Sequence, residues 1–443
     1  MTGSGVSVIG AGMAGMAAAD RLATAGVGSE LFEGETEWGG HTRSHERDGF
    51  VFDEGPHVSF TKDERVRELF TRGARDVLEF SAQITNYFRT RWVTHPAQCH
   101  LYGLDPDLVT ACVVDMMRVQ QAPPKIEDYG DWCVAMFGKT FAENFPFVYT
   151  RKYWTREARE LTTDWVGNRM YPPKLEEVVR GALVPDQGGN FHYLSKFRYP
   201  ARGGYQSFMR AMLRPELLRL GKRVTRLSLS HKQLEFADGS SSHYEHLIST
   251  MPIPELIRAI DPTELPSAIR AASEALLCSS LVLVDVAVSR SDLSAHHWFY
   301  VYDEDIGFAR GHYPHMLSPH NAPPNCGSIQ LEIYHSRYKP LTAAVSTLPE
   351  RTVAELVRMG ILRDKSEVRW ASSREVPYAN VVFDKQRSDA LALIQPWLDE
   401  HGLTCAGRYG DWAYHWTDDA VKSGWRAADA VLARLGAPTD PPQ

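Results

Sequence analysis

Residues 6–43 read VSVIGAGMAGMAAADRLATAGVGSELFEGETEWGGHTR, and the rest of the chain is organised around this stretch. Val6-Ser7-Val8-Ile9 has the character of a buried strand. Gly10-Ala11-Gly12-Met13-Ala14-Gly15 then fits G-x-G-x-x-G and opens an Ala-rich helix expected to end near Gly26. In this pattern the first glycine permits the tight turn, the second lets a pyrophosphate approach the backbone, and the third lets helix pack closely on strand. The phosphates would lie at the helix N-terminus, where unpaired N–H groups and the helix dipole favour negative charge. A second strand, Ser29-Glu30-Leu31-Phe32, ends at Glu33, roughly 20 residues downstream, where a carboxylate binds a ribose hydroxyl. The glycines alone would also suit a structural turn; strand, helix and carboxylate in register point to a bound dinucleotide.

A chain of 443 residues exceeds what one core serves, so two or three intimately connected lobes are expected. With 43% hydrophobic and 23% charged residues the composition is that of a soluble globular protein, and the net charge of −7 argues against a general nucleic-acid or anionic-membrane surface. No apolar run approaches the roughly 20 residues of a membrane helix. The first strand begins close to Met1, leaving no room for a signal peptide, so the cytoplasm is the expected location. Cys99, Cys112, Cys133, Cys278, Cys326 and Cys405 are scattered without a C-x-x-C, which indicates reduced structural thiols and no zinc site.

Trp38-Gly39-Gly40-His41-Thr42-Arg43 places a second glycine pair just past the ribose carboxylate. It resembles the Gly-Gly segment of FAD proteins of the amine oxidase, protoporphyrinogen oxidase and UDP-galactopyranose mutase superfamily, where backbone passes close to the cofactor. The resemblance implies FAD, held by Gly10, Gly12, Gly15, Glu33, Gly39, Gly40 and Arg43. It also implies an α/β fold, with an FAD-binding Rossmann-like domain of the glutathione-reductase type, an inserted helical lobe and a mixed β-sheet substrate domain.

Along the chain, the alternation about Phe50 and Phe52 suggests a short strand running into a Gly-Pro turn that presents His57. Thr61-Lys62-Asp63-Glu64 then reads as a capping box for a helix with Val66, Leu69 and Phe70 on its apolar face. A lone histidine after a turn is usually at the surface or satisfied; G-P-H resembles the mutase segment whose histidine lies beside the flavin ring. Helix-like periodicity and many aromatics from about 100 to 195 mark the inserted lobe. There, Tyr149-Thr150-Arg151-Lys152-Tyr153-Trp154, then Leu161, Trp165 and Arg169, resemble a Y-x-x-K-x-W…L…W…R pattern that in the mutases supplies aromatic walls for uridine and an arginine for the diphosphate. Trp154 and Trp165 could equally be core aromatics. The second basic residue expected soon after Arg169 falls near Pro173 and Lys174.

Residues 197–205 resemble the return into the cofactor domain. Residues 223–239 alternate as hairpin strands, with Val224 near the adenine in relatives or simply part of the sheet core, and Leu247-Ile248-Ser249-Thr250 ends a strand of the FAD sheet. Strands dominate from Leu281, and Trp298 to Pro319 resemble the W-x-Y…F-x-R…SP run. Arg310 stands where eukaryotic-type mutases place a diphosphate arginine, a role its planar fork suits; pairing with Glu332 is the alternative. His312, His315 and His320 lack metal spacing and read as structural. Residues 407–428 resemble the C-terminal flavin motif G-R-x-G-x-W-x-Y-x-x-x-D, in which Gly407 and Arg408 bind cofactor and the helix N-terminus near Asp418 faces the flavin pyrimidine edge. Small residues at 420, 424 and 427/428 share one face and permit close helix packing.

The expected division is therefore 1–95, 197–262 and 386–436 for FAD binding, 96–196 for the helical lobe, 263–385 for the substrate domain and 437–443 as a tail. Three functions compete. The first is a nucleotide-sugar pyranose/furanose mutase that uses reduced FAD as an N5 nucleophile without net redox change, the chemistry being the cofactor's. In it Arg169 and Arg310 clamp the diphosphate, Tyr414 hydrogen-bonds a phosphate oxygen and His57 tunes the flavin N5 region. The second is an FAD-dependent oxidase or dehydrogenase of a small metabolite, which needs an aromatic cage rather than two arginines. The third is a flavin-free escort of the Rab escort type, which the intact fingerprint opposes. A nucleoside-diphosphate sugar is the expected partner, with no nucleic acid or membrane; a homodimer is compatible. Ala413 and the Tyr378-Ala379-Asn380 run depart from the family pattern.

Overall fold

The computed structural model describes residues 5–188, 191 and 196–438. Val6–Ile9 is buried at every position and lies at the centre of a five-stranded parallel sheet, ordered Leu403–Cys405, His246–Ser249, Val6–Ile9, Glu30–Phe32, Leu218–Arg219. A parallel sheet is covered on both faces, which is why Val6–Ile9 is buried along its whole length, Ser7 included, rather than at alternate residues. The helix that follows, Met13–Thr24, buries Met13 to Ala19 almost continuously, and the chain leaves it through Gly26 at φ +78°. The long C-terminal helix Thr417–Arg434 crosses it with Ala420, Gly424, Ala427 and Ala428 buried. A Cβ on Gly424 would lie 2.1 Å from the Ala14 carbonyl oxygen, so the small-residue face expected from the sequence is what lets the two backbones meet.

Residues 224–243 form an antiparallel three-stranded sheet beside this domain: Val224–Ser228, Gln233–Phe236 and Ser241–His243. The inserted lobe is helical, with Pro106–Gln121, Tyr129–Phe137, Lys139–Asn144, Pro146–Tyr153 and Leu175–Leu183. Trp154 and Trp165 are both buried in its core, ring centroids 4.8 Å apart, so the core-aromatic alternative describes them.

The third layer is a seven-stranded sheet in the order Val368–Val381, Cys278–Val288, Gly327–His335, Arg310–His312, Trp298–Val301, Ile84–Phe88, Arg91–Thr94. Its last two strands come from the segment assigned by sequence to the cofactor domain, with Trp298–Val301 pairing parallel to Ile84–Phe88. Such a pairing spans more than 200 residues and leaves no local mark.

At residue 61 the expected capping box is not formed. Asp63 caps the helix Glu64–Ala74 by accepting from the Val66 N–H at 3.2 Å, while the Thr61 hydroxyl donates to Asp418 Oδ2 at 2.8 Å. The hydroxyl is used to join the first third of the chain to the last. No helix among the described residues is long and apolar enough to cross a membrane. Of the expected tail, Ala437 packs on the core, and residues 439–443 lie outside the described residues.

Candidate functional site

The C-terminal ends of the parallel strands face the seven-stranded sheet across a cavity of about 1020 Å³. That exceeds the roughly 300–1,000 Å³ of ordinary ligand sites and suits a dinucleotide with a second molecule beside it. The dinucleotide end fits the residues present. Gly10, at φ +95°, turns the chain so tightly that a Cβ would lie 2.2 Å from Thr250 Oγ1, and one on Gly15 would lie 1.8 Å from the Gly10 carbonyl oxygen. Gly12 is different: the nearest atom to a Cβ there is Gly40 Cα at 3.8 Å, so its backbone stands open to an approaching pyrophosphate. Glu33 Oε2 accepts from the Ala11 N–H at 2.7 Å and Oε1 from the Glu35 N–H at 2.9 Å, which holds the carboxylate at the cavity wall. Gly39, Gly40, Arg43, Val224, Gly407 and Arg408 also line the cavity. Gly15 lies beneath it, where helix meets strand.

Asp418 does not line the cavity; its carboxylate is engaged by Thr61 and Lys422, and the neighbouring Thr417 and Ala420 form the wall instead. The helix start still faces the cavity, so the correction concerns the side chain and not the dipole. Arg43 reaches Glu54 Oε2 at 3.4 Å, and His41 Nδ1 lies 2.7 Å from Glu54 Oε1. Hydrogen bonds from His41 and His45, joined by the charge of Arg43, hold the Glu54 carboxyl well below its usual range despite burial.

Beyond the dinucleotide end, the wall is the polar face of the seven-stranded sheet. Register explains its make-up: Tyr300, Arg310 and Glu332 are direct cross-strand partners, with Trp298 and His312 one pleat along. Arg310 donates to Glu332 through Nε (2.7 Å) and Nη2 (2.8 Å), and the Tyr334 hydroxyl donates to Glu332 Oε2 at 2.6 Å. The Glu332-paired alternative therefore holds, and the arginine nonetheless lines the cavity. His312, read from sequence as structural, lies beside it; the signal was its i+2 spacing from Arg310 on one strand, which puts both on the same face.

His57 lines the cavity with its ring against Tyr205, centroids 5.4 Å apart. Burial, joined by the charges of His41, Arg408 and Arg310, pushes its imidazole down to about 4. The ring is expected to stay neutral from pH 5 to 9 by imidazole 15N chemical shift; a midpoint above 6 would contradict this geometry. With a folded value below the ordinary 6.5, the unfolded chain binds the extra proton first, so this histidine's contribution to stability is present above pH 6.5 and is lost as pH falls towards 4.

Arg169 does not line the cavity. Nη1 donates to the Trp165 carbonyl at 2.7 Å, Nη2 to the Tyr414 carbonyl at 2.9 Å, and the guanidinium carbon sits 4.6 Å and 4.5 Å from the Tyr414 and Trp416 ring centroids. Committed to carbonyls and rings, it braces the segment that carries Tyr414. Tyr414 does line the cavity, its hydroxyl 2.8 Å from that of Tyr153. Arg408 is half-buried, donating through Nη1 to the His415 carbonyl and through Nη2 to Asn380 Oδ1, both at 2.9 Å.

Comparison with known proteins bears on the family and the fold. The model of the flavin containing amine oxidoreductase family matches residues 13–432. Among curated proteins, the chain is 36% identical over 88 residues to a lycopene-forming phytoene desaturase of Pantoea ananas, covering 19% of this chain and 18% of that one. It is 41% identical over 66 residues to a 4,4'-diapophytoene desaturase of Staphylococcus aureus (strain bovine RF122 / ET3-1), covering 15% and 13%. The chain thus matches less than a fifth of these relatives' length. Among solved structures, reduced UDP-galactopyranose mutase superposes with a TM-score of 0.90 at 24% identity, over 98% of this chain and 94% of that one. Cyclohexylamine oxidase from Brevibacterium oxydans IH-35A superposes with a TM-score of 0.68 at 15% identity, over 97% and 99%. At such identities the likeness concerns the fold. The family match over nearly the full length, on a cavity whose glycines and Glu33 suit a dinucleotide, makes this chain a member of the flavin-containing amine oxidoreductase family, whose cofactor is FAD.

Proposed function

We propose that the protein is a flavin-dependent mutase that interconverts ring forms of a nucleoside-diphosphate sugar. The observation that carries this reading is Arg408, a half-buried guanidinium on the cavity wall: among the described residues no carboxylate pairs with it, and it is held by a carbonyl, an amide oxygen and the face of the Tyr414 ring. A guanidinium half-withdrawn from water with no carboxylate beside it favours an anionic ligand in the cavity. Such a site repels a cationic amine, and its charged and phenolic wall is a poor lining for a long polyene.

When bound, reduced FAD supplies the nucleophile for the anomeric carbon. The protein's own part is to bind and orient. The Nε–Nη2 edge of Arg310 is held by Glu332, which leaves Nη1 as the donor for a phosphate oxygen and fixes its direction. Trp298 and Tyr300 supply aromatic surface beside it, and neutral His57 and His312 offer lone pairs without adding charge. Positioning of this kind, rather than side-chain acid–base chemistry, is what such a reaction asks of the protein.

The test is thermal unfolding of dithionite-reduced holoprotein with UDP. At a ligand concentration 100 times Kd the folded state should gain about 2.7 kcal/mol, with a shift of the flavin absorption. No protection by any nucleoside diphosphate would end the mutase reading. A second reading, an FAD-dependent oxidase or dehydrogenase of a small metabolite, draws support from the desaturase matches and the amine oxidase fold. Steady hydrogen peroxide release with an amine or cyclic substrate would favour it.

A further inference from the structure

We propose that Asn380 sets the direction of hydrogen bonding along the Tyr153–Tyr414 pair, so that Tyr414 offers the substrate an acceptor and selects a substrate hydroxyl there rather than a phosphate oxygen. Which hydroxyl-bearing molecule this is rests on the mutase reading; the polarity of the pair does not.

Asn380 is 4% exposed, lies in the strand Val368–Val381 and lines the cavity. Its Oδ1 is 2.9 Å from Arg408 Nη2 and 3.1 Å from the Tyr153 hydroxyl oxygen. An amide's orientation is normally open to exchange of N and O. Here it is not, because a guanidinium only donates, so the amide atom facing it has to be oxygen. The amide nitrogen lies on the other branch, buried and without a protein partner. Tyr153 therefore faces a carbonyl oxygen and donates its single proton to it.

The Tyr153 and Tyr414 oxygens are 2.8 Å apart, so one proton lies between them. Tyr153 has already directed its own to Asn380, and the shared proton is Tyr414's. The reverse order would set a Tyr153 lone pair against the Asn380 carbonyl and lose a buried hydrogen bond. Tyr414 is left with lone pairs for the cavity. A phosphate oxygen would meet them as acceptor against acceptor; a hydroxyl donates into them. The guanidinium carbons of Arg169 and Arg408, each 4.6 Å from the Tyr414 ring centroid, weigh against a cationic N–H donor at the same place. Tyr414, expected from the resemblance to bind a phosphate oxygen, is on this proposal a specificity-determining residue for the sugar, with Asn380 as its positioning residue.

Neutron diffraction from perdeuterated, FAD-loaded protein is the direct test. The Tyr414 deuterium is expected on the line to the Tyr153 oxygen; a Tyr153 deuterium aimed at Tyr414 overturns the proposal. In solution, Asn380→Leu frees the Tyr153 proton for Tyr414 and turns Tyr414 into a donor, so UDP should bind about fivefold more tightly. That gain should vanish in Asn380→Leu/Tyr414→Phe and be absent in Asn380→Asp, which still presents oxygen to both neighbours. A gain that survives Tyr414→Phe would count against the proposal. Holoprotein that binds no UDP would overturn the mutase reading, and the deuterium position would still decide this one.

Discussion

A Gly15→Val protein should purify colourless. The Cβ alone would stand 1.8 Å from the Gly10 carbonyl oxygen, and that oxygen belongs to the turn whose N–H groups would receive the pyrophosphate. The atom in the way is backbone, so relief requires the first turn of the helix to move off the strand. Overpacking of this kind costs about 1–3 kcal/mol and occasionally more, and here the displacement falls on the cofactor cradle itself. FAD affinity should drop by about 100-fold or more, a loss of roughly 2.7 kcal/mol, read as flavin absorbance per protein after gel filtration in limiting FAD. Gly12→Ala is the informative companion. Its methyl has only Gly40 Cα within 4 Å, at 3.8 Å, so the apoprotein should melt as the parent does while binding FAD weakly, because the methyl occupies the pyrophosphate's approach. A yellow, fully loaded Gly15→Val protein would show that the cradle is not where the cofactor lies.

The second large effect is expected at Arg310. Glu332 is 1% exposed and accepts from Arg310 twice and from Tyr334 once. Arg310→Met leaves that carboxylate buried beside a single neutral donor. Removing one member of a buried ion pair typically costs 3–5 kcal/mol, about what is expected here. Ligand binding should suffer doubly, since the diphosphate loses a donor and meets an uncompensated negative charge. The double variant Arg310→Met/Glu332→Gln separates the two effects: most of the stability should return, while UDP affinity recovers only in part. Thermal melting and UDP titration of the three proteins check this. A single variant as stable as the parent would show that the pair does not anchor the cavity wall.

Arg310 and Arg169 also show how far arginines can be read from sequence. Both were expected to clamp a diphosphate, and only one faces the cavity. Arg310 is legible because the run from Trp298 to Pro319 resembles that of the mutases, and strand pairing then sets it opposite Tyr300 and Glu332. Arg169 is not, because its fate is decided by two carbonyl groups: Trp165, four residues back, and Tyr414, 245 residues on. A flexible side chain goes to the acceptors that the fold brings within reach. His312 is hidden in the sequence for a related reason, since in a Pro-rich stretch its partnership with Arg310 shows only once that stretch is known to be strand. Thr61 had the residue type and spacing of a helix cap, yet its hydroxyl is turned to Asp418 in another part of the chain.

The sequence by itself determined the cofactor end of the molecule. A turn that only glycine can make, a helix that must touch its strand, a carboxylate at the next strand's end and a helix face small enough to admit a neighbour are requirements of backbone geometry over short spans, and each restricts the residue type where it acts. Tertiary structure alone decided the substrate end. There the residue types are permissive, and their roles come from hydrogen-bond partners on other elements that only the fold brings together: Glu332 holding one edge of Arg310, a carbonyl 245 residues on claiming Arg169, and Arg408 turning the Asn380 amide so that the phenols beside it can donate in one direction only.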